Sequence, residues 1–348
     1  MDTISERRKK IVAEHFKGEI PRLWCPLLTH YSDEGTIDFE RMARHFERVV
    51  PWVKGFLVPG STGDGWVLND KQTLEVADFA MQLARNQDIH LLLGVLKSDV
   101  RSMIETMSSM LGTDVRKAGP EVLLSILKEK NICGFTVCPP SGKTLRQADI
   151  EAGLAEILHL GLPTALYQLP QITENEISAE TFAGIIAEHA NVVFFKDSSG
   201  QDRVAMSPFD KGGVFMVRGA EGEYARWLKE VGGAYDGFLL STANCFAREL
   251  ADVMKGLTNG DRKKSEDISG QLTAAVNEVF TLVQALPYGN PFTNANKAID
   301  HFLAFGPEPS ARPNPMLHGG VRLPDAVIRA TGTVLSKYRL MPDEGYCL

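Results

Sequence analysis

The residue whose type and position most clearly permit covalent chemistry is Lys196, which follows four consecutive apolar residues at 192–195. An apolar run of this length, bounded by turn-forming residues, predicts a strand buried on both faces of a parallel sheet. Burial disfavours the charged form of lysine and lowers its pKa by up to about 3–5 units. A lysine that is neutral at physiological pH attacks a ketone and forms a Schiff base. The alternative is that Lys196 forms an ion pair with Asp197 or extends to solvent.

Two further reactive groups follow predicted strands. Tyr167 comes directly after the apolar run 163–166, and Ser61 and Thr62 lie in a Gly-Ser-Thr-Gly segment after another run. A lysine imine with a keto acid needs a proton shuttle and a site for the carboxylate, which a phenol and a loop of small hydroxyl residues supply. Taken singly, the tyrosine also fits a core aromatic residue, and the small residues also fit an ordinary turn. Because these residues and Lys196 all follow predicted strands, we expect them to form one site.

Eight apolar, strand-like runs alternate with amphipathic segments along the chain. The runs lie at 21–30, 55–58, 89–95, 132–137, 163–166, 192–195, 214–217 and 234–240. This alternation predicts the α/β class with a parallel sheet, and eight strands close a TIM (β/α)8 barrel. In such a barrel, catalytic groups lie at the C-terminal ends of the strands. The breakers Gly112 and Pro120 predict a split helix or an insertion between the third and fourth strands.

The strand signals divide the chain into three parts. Residues 1–20 form a charged N-terminal segment, residues 21–255 hold the predicted barrel, and residues 256–348 contain no strand signal. The last part has helical periodicity at 261–286, 292–305 and 324–338, separated by proline and glycine clusters. We therefore expect a barrel with a C-terminal helical appendage.

Composition excludes several classes of partner. The 348 residues include 44 acidic and 37 basic ones, which gives a net charge of −7. With no long basic run, neither nucleic acid nor an anionic membrane surface is an expected partner. The N-terminus is polar and no apolar run approaches the ~20 residues of a membrane span, so a cytoplasmic location is expected.

Common metal and nucleotide motifs are missing from the sequence. The five cysteines are scattered without a Cys-x-x-Cys pair, and the eight histidines show no ligand spacing, so no metal and no other cofactor is expected. The segment 141–144 mimics the end of a P-loop, but Val137 occupies the place of its first glycine. No Gly-x-Ser-x-Gly elbow supports a hydrolase.

Three segments give the sequence a resemblance to the family of dihydrodipicolinate synthase and N-acetylneuraminate lyase. They are Gly-Ser-Thr-Gly-Asp at 60–64, Tyr-Gln-Leu-Pro at 167–170 and Phe-Lys-Asp-Ser-Ser-Gly at 195–200, and the resemblance extends from about residue 20 to about residue 340. It implies that Lys196 forms a Schiff base with a 2-keto acid, that Tyr167 relays protons, and that Ser61 and Thr62 hold the substrate carboxylate. It also implies a homotetramer or a homodimer.

Departures from the family pattern bear on the substrate. Where the synthases carry an arginine that anchors the second substrate, this chain has Ile172, and the segment 138–143 replaces their tyrosine pair. Gly219, Glu221 and Ser241 match positions that contact hydroxyl groups in the sugar-acid lyases. These features favour a hydroxylated substrate such as a 2-keto-3-deoxy sugar acid.

Three functions are compatible with the sequence. The favoured one is a Schiff-base lyase, either an aldolase or a dehydratase, acting on pyruvate or a 2-keto-3-deoxy sugar acid. The first alternative is a synthase that condenses pyruvate with aspartate semialdehyde. The second is a keto-acid-binding barrel without turnover, suggested by the altered loop at 138–143 and the long segment 97–131.

Overall fold

Eight parallel strands form a closed barrel in the order β1 to β8, as the sequence predicted. The computed structural model describes residues 2–309 and 312–348. The strands are β1 Leu23–Cys25, β2 Gly55–Val58, β3 His90–Val95, β4 Gly134–Val137, β5 Thr164–Gln168, β6 Val192–Asp197, β7 Phe215–Arg218 and β8 Gly237–Leu239. Each pairs in parallel with its neighbours, and β1 closes the ring on β8.

Helices surround the barrel and form the C-terminal region. They are α1 Ile4–His15, α2 Phe39–Val49, α3 Asp70–Asn86, α4 Val100–Leu111, α5 Pro120–Glu129, α6 Gln147–Leu158, α7 Pro170–Thr173, α8 Ala179–Glu188, α9 Arg203–Met206, α10 Ala243–Thr258, α11 Arg262–Gln284, α12 Pro291–Phe305 and α13 Asp325–Lys337. A 3₁₀ turn spans Lys229–Val231. In the C-terminal region, α11 packs against α10, α12 and α13. None of the described helices is long and apolar enough to cross a membrane.

The strand between residues 21 and 30 is much shorter than its apolar run suggested. Only Leu23–Cys25 pairs as a strand, because Pro21 and Pro26 flank it and a proline has no backbone N–H to give to a sheet. The apolar residues that follow, Leu27 and Leu28, are nevertheless fully buried. The apolar run therefore predicted the burial of these residues correctly, but it overestimated the length of the strand that pairs in the sheet.

The segment between β3 and β4 is a split helix, as the breakers predicted. Helix α4 ends at Gly112, whose φ of 73° is left-handed and favours glycine. Helix α5 begins with Pro120, a residue suited to the first turn because its missing N–H has no helical partner there.

Helix α1 closes the N-terminal end of the barrel, a feature for which the charged sequence gave no signal. The Arg8 guanidinium is buried there and donates to the carbonyl oxygens of Val192 at 2.6 Å and Ile186 at 2.7 Å. Phe16, after the helix, packs into the barrel interior beside Trp24 with the ring centroids 6.4 Å apart. Arg8, whose charge is solvated by carbonyl oxygens of β6 and α8, acts as a structural plug.

Candidate active site

Lys196 lies inside the barrel, next to the last residue of β6. It is paired in register with Tyr167 on β5 and Val217 on β7, and its side chain is only 3% exposed. Burial lowers the pKa of Lys196 to about 7, with Cys138 and Glu221 acting in the opposite direction. Its Nζ lies 3.9 Å from the centroid of the Tyr167 ring. The amine is therefore dry and close to neutral at physiological pH, and it packs against the predicted phenol.

Tyr167 connects the lysine to the loop after β2. It is 2% exposed, and burial raises the pKa of its phenol, while hydrogen bonds from Ser198 and Ser61 act in the opposite direction. The phenol is therefore protonated at neutral pH, and the hydroxyls of Ser198 and Ser61 are the nearby groups with which it could exchange that proton.

Helix α12 fixes the loop that carries Ser61 and Thr62. Both residues are buried, Ser61 being 7% and Thr62 4% exposed. Asn290 Nδ2 donates to Ser61 Oγ at 3.2 Å, and Thr293 Oγ1 donates to the Thr62 carbonyl at 2.8 Å. Gly63 is required by space, because a Cβ there would lie 2.4 Å from the Leu27 carbonyl oxygen. The C-terminal region thus positions a loop that belongs to the barrel.

A second buried lysine, Lys297, supports the same loop. Lys297 on α12 is 1% exposed, and its Nζ lies 3.4 Å from Asp64 Oδ2, to which the Tyr31 hydroxyl also donates at 3.1 Å. Burial lowers the pKa of Lys297, whereas Asp64 raises it. Sequence reasoning missed this pair, because a lysine within an amphipathic helical pattern gives no sign of its burial.

Gly219, at the end of β7, leaves space beside the amine. A Cβ at this position would lie 2.1 Å from Ser198 Oγ and 2.8 Å from Lys196 Cε. Both separations are shorter than van der Waals contact. Any side chain at position 219 would crowd Cε of Lys196, the carbon that carries the reactive nitrogen. Glycine is therefore favoured at this position for steric reasons.

Glu221 and Ser241 are hydrogen-bonded to each other. Glu221 accepts hydrogen bonds from Ser241 Oγ at 2.6 Å, Thr242 Oγ1 at 2.6 Å and the Tyr224 hydroxyl at 2.9 Å. The carboxylate thereby ties the loop after β7 to the loop after β8. These contacts use the groups that the family resemblance assigned to substrate hydroxyls.

A buried charge network lies beside Lys196 and was not predicted. The Arg218 guanidinium forms two hydrogen bonds to Asp202, at 3.0 and 3.2 Å, and the Tyr235 hydroxyl donates to the same carboxylate at 2.6 Å. Arg218 pairs in register with Asp197, the residue after the lysine. Because Arg218 is neutralised by Asp202, and Asp197 has Ser199 N–H as a donor at 2.9 Å, Lys196 is left without an ion-pair partner within this network. The alternative of a Lys196–Asp197 pair has no support among the described contacts.

One group of side chains has the composition of a metal site. Ligand atoms of His30, His45 and Asp300 all lie within 4.8 Å of one another and are buried. However, the Arg41 guanidinium lies 2.5 Å from Asp300, and the Tyr346 hydroxyl donates to the same carboxylate at 2.9 Å. The two histidine rings contact each other at 2.8 Å between Nε2 and Nδ1. We interpret the group as an ion network that holds the C-terminal residues, because its charge is already balanced by an arginine.

The mouth of the site opens into a cavity of about 620 Å³. Its lining includes the buried residues Ser61 and Leu169 and also Ile172, which is 41% exposed. We call this space the outer pocket. Its lining residues are Ser61, Asp64, Trp66, Val67, Leu169, Gln171, Ile172, Phe280, Gln284, Gly289, Asn290, Pro291, Phe292, Asn294, Leu317 and His318.

A parallel barrel that holds a buried, near-neutral amine beside a phenol defines a class of barrel enzymes with lyase chemistry. The model of the dihydrodipicolinate synthetase family matches residues 127–288. The chain is 26% identical over 267 residues to 4-hydroxy-tetrahydrodipicolinate synthase of Agrobacterium fabrum, across 76% of this chain and 83% of that protein. It is 22% identical over 321 residues to the protein of the same name from Thermoanaerobacter sp., across 91% and 96%.

Solved structures share the fold. YagE of E. coli K12, a prophage protein of the dihydrodipicolinic acid synthase family in complex with pyruvate, superposes with a TM-score of 0.73 at 17% identity, over 93% of this chain and all of that one. The 2-keto-3-deoxygluconate aldolase of Sulfolobus sulfataricus, in complex with D-KDPG, gives 0.68 at 14% identity, over 92% and 96%. The predicted resemblance to the dihydrodipicolinate synthetase family is confirmed: its model matches residues 127–288, relatives named 4-hydroxy-tetrahydrodipicolinate synthase match across most of the chain, and the protein is an enzyme of the lyase class.

Proposed function

We propose that this enzyme forms a Schiff base between Lys196 and a 2-keto acid and makes or breaks a bond at the carbon next to the imine. Ser61 and Thr62 hold the carboxylate of the keto acid, and Tyr167 moves protons to and from the reacting atoms. Gly219, Glu221 and Ser241 shape the remaining side of the site. The observation that carries the proposal is the burial of Lys196, which lowers its pKa to about 7.

The steps balance without a cofactor. The lysine nitrogen attacks the keto carbon, the oxygen leaves as water, and a protonated imine forms. That imine draws the electron pair of the breaking bond into an enamine, while the leaving fragment's hydroxyl loses its proton and becomes a carbonyl. Protonation of the enamine and addition of water then release the keto acid and the free amine. Tyr167 is the proposed donor and acceptor for these protons.

Two finer points are supported by the family alone. The assembly is proposed to be a homotetramer, with a homodimer as the alternative, and the cytoplasmic location stays a prediction.

The curated relatives are synthases by name, so condensation of pyruvate with aspartate semialdehyde is a second candidate function. Against it, the lining of the outer pocket has Ile172 and no lysine or arginine.

Reduction with borohydride tests the proposal. We expect pyruvate and borohydride together to inactivate the enzyme and to add the mass of reduced pyruvate to the peptide that contains Lys196. Lys297 is a matched internal control, since it is equally buried at 1% exposure but is paired with Asp64. An unmodified Lys196 in active enzyme would rule out the mechanism, and equal modification of Lys297 would show that burial alone explains the reactivity. Binding of the keto acid without any turnover would favour the non-catalytic alternative.

A further inference from the structure

The outer pocket borders the proposed reaction site. Trp66, on its lining, packs in one apolar cluster with Cys138, Tyr167 and Leu169. Ser61 lies on the same lining, and its hydroxyl lowers the pKa of the Tyr167 phenol against the effect of burial. Because Ser61 is also the proposed holder of the substrate carboxylate, the pocket adjoins the space in which the keto acid would bind. Its volume of about 620 Å³ falls in the range of about 300–1,000 Å³ that is usual for small-molecule sites.

The pocket wall is largely apolar. Its apolar and aromatic lining residues are Trp66, Val67, Leu169, Ile172, Pro291, Phe280, Phe292 and Leu317. Phe280 and Phe292 form an edge-to-face pair with ring centroids 4.9 Å apart. Such a wall binds flat, apolar groups well, because it provides large contact area and aromatic faces that need no hydrogen bonds.

Among the described residues, the lining has no lysine or arginine to neutralise an anion, and His318 is its one imidazole. Its one carboxylate, Asp64, is engaged by Lys297 and Tyr31. A carboxylate or phosphate at the far end of a substrate would lose water there without gaining a cation, which is costly. The pocket therefore selects against anionic fragments.

Most polar groups of the lining are already engaged within the protein. Asn290 caps α12 by accepting from the Phe292 N–H at 2.9 Å, and Gln171 Nε2 donates to the Ser198 carbonyl at 3.2 Å. Two buried atoms have no partner among the described residues, namely Asn294 Oδ1 and Trp66 Nε1. These two buried atoms offer one acceptor and one donor, which match a ligand with few polar atoms better than a chain of hydroxyls.

We propose that the second fragment of the reaction is an uncharged, predominantly apolar aldehyde, of the size of an aromatic aldehyde. The inference rests on the proposed function and names its substrate class. In the condensation direction the enamine carbon of pyruvate attacks the aldehyde carbon, the aldehyde oxygen takes a proton, and water releases a 4-hydroxy-2-keto acid from Lys196. In the cleavage direction the same bond breaks and the aldehyde leaves through the pocket. This differs from the hydroxylated sugar acid that the sequence favoured.

Aldehyde selectivity tests the inference. Wild-type enzyme with pyruvate is offered benzaldehyde, glyceraldehyde or succinic semialdehyde, and each 4-hydroxy-2-keto acid is quantified by mass spectrometry. We expect kcat/KM for benzaldehyde to exceed that for each of the others by at least about tenfold, since a charge or several hydroxyls would remain unpaired in the pocket. Ile172→Arg should move the ratio of succinic semialdehyde to benzaldehyde by about tenfold towards the anion, because it places a guanidinium on the lining. Phe209→Arg is the matched control, since Phe209 is 40% exposed and Ile172 41%, and it should leave the ratio unchanged.

The outcomes separate this inference from the proposed function. If borohydride traps pyruvate on Lys196 but glyceraldehyde or succinic semialdehyde is the best acceptor, or if no aldehyde reacts, this inference fails and the Schiff base stands. If no adduct forms on Lys196, the proposed function fails first. The assembly mass of Ile172→Arg, measured by light scattering, should equal that of wild type. An altered mass with unaltered selectivity would show that Ile172 belongs to a subunit contact and would overturn the assignment.

Discussion

Replacing Lys196 by methionine should stabilise the protein while it abolishes the chemistry. Methionine has a similar length and volume, and it needs neither a proton nor a hydrogen bond in the barrel interior. The wild-type lysine, by contrast, loses about half of its protonation at pH 7, and more at higher pH, when the chain folds, because its pKa falls from 10.5 to about 7. Holding a lysine in this state costs folding free energy, which the variant does not lose.

The size of this cost depends on pH in a defined direction. Between pH 7 and 10.5 the unfolded chain binds more protons at this lysine than the folded chain does, so wild-type stability rises with pH. The two pKa values give a cost of about 4 kcal/mol at pH 7 and about 2 kcal/mol at pH 9. The stability advantage of Lys196→Met should therefore shrink by about 2 kcal/mol over this range. Below pH 7 both states are protonated and the advantage should level off.

Urea unfolding of both proteins at several pH values between 7 and 9 measures this difference. Lys263→Met is the matched control, since the Lys263 side chain is 87% exposed on α11 and should change stability by less than about 0.5 kcal/mol at every pH. A constant difference between Lys196→Met and wild type across this range would refute the reasoning. So would a variant that is less stable than wild type at pH 7, because both results require a lysine that keeps its ordinary pKa.

Two further substitutions separate the proposed roles around the amine. Tyr167→Phe should leave borohydride trapping of pyruvate on Lys196 intact but lower kcat by about 10²-fold or more, as expected for a lost acid–base group; turnover within a few-fold of wild type would exclude Tyr167 as the proton relay. Gly219→Ala should slow imine formation by about tenfold or more, because its methyl group would lie 2.8 Å from Lys196 Cε. Gly184→Ala on α8, where the nearest atom would be 3.5 Å away, is its control, and equal trapping rates in the two variants would contradict the steric role.

The barrel could be predicted because its signals are local. Strands buried on both faces are short apolar runs, and the helices between them carry apolar residues at helical spacing, so both appear in the sequence itself. The run 192–195 and its following lysine became β6 with Lys196 inside the barrel. Tyr167 lies opposite Lys196 in the sheet register, which follows once neighbouring strands are parallel and end at the same side.

Features that depend on long-range partners could not be predicted. Helix α1 has charged residues throughout, and only the carbonyls of Val192 on β6 and Ile186 on α8 make a buried Arg8 favourable. Lys297 is separated by more than 200 residues from Asp64. The pairing of Glu221 with Ser241 could not be predicted either, because a motif shows which polar groups are present and not which of them already have hydrogen-bond partners.

The sequence by itself determined the strand order, the barrel and the position of one lysine after one strand. Only the tertiary structure decided that this lysine is dry and without an ion-pair partner in the network beside it, and that the pocket beyond it is apolar and free of lysine and arginine. The physical reason is that desolvation and charge balance depend on which side chains surround a group in space. In this protein those side chains come from β5, β7, α11 and α12, which lie far apart along the chain.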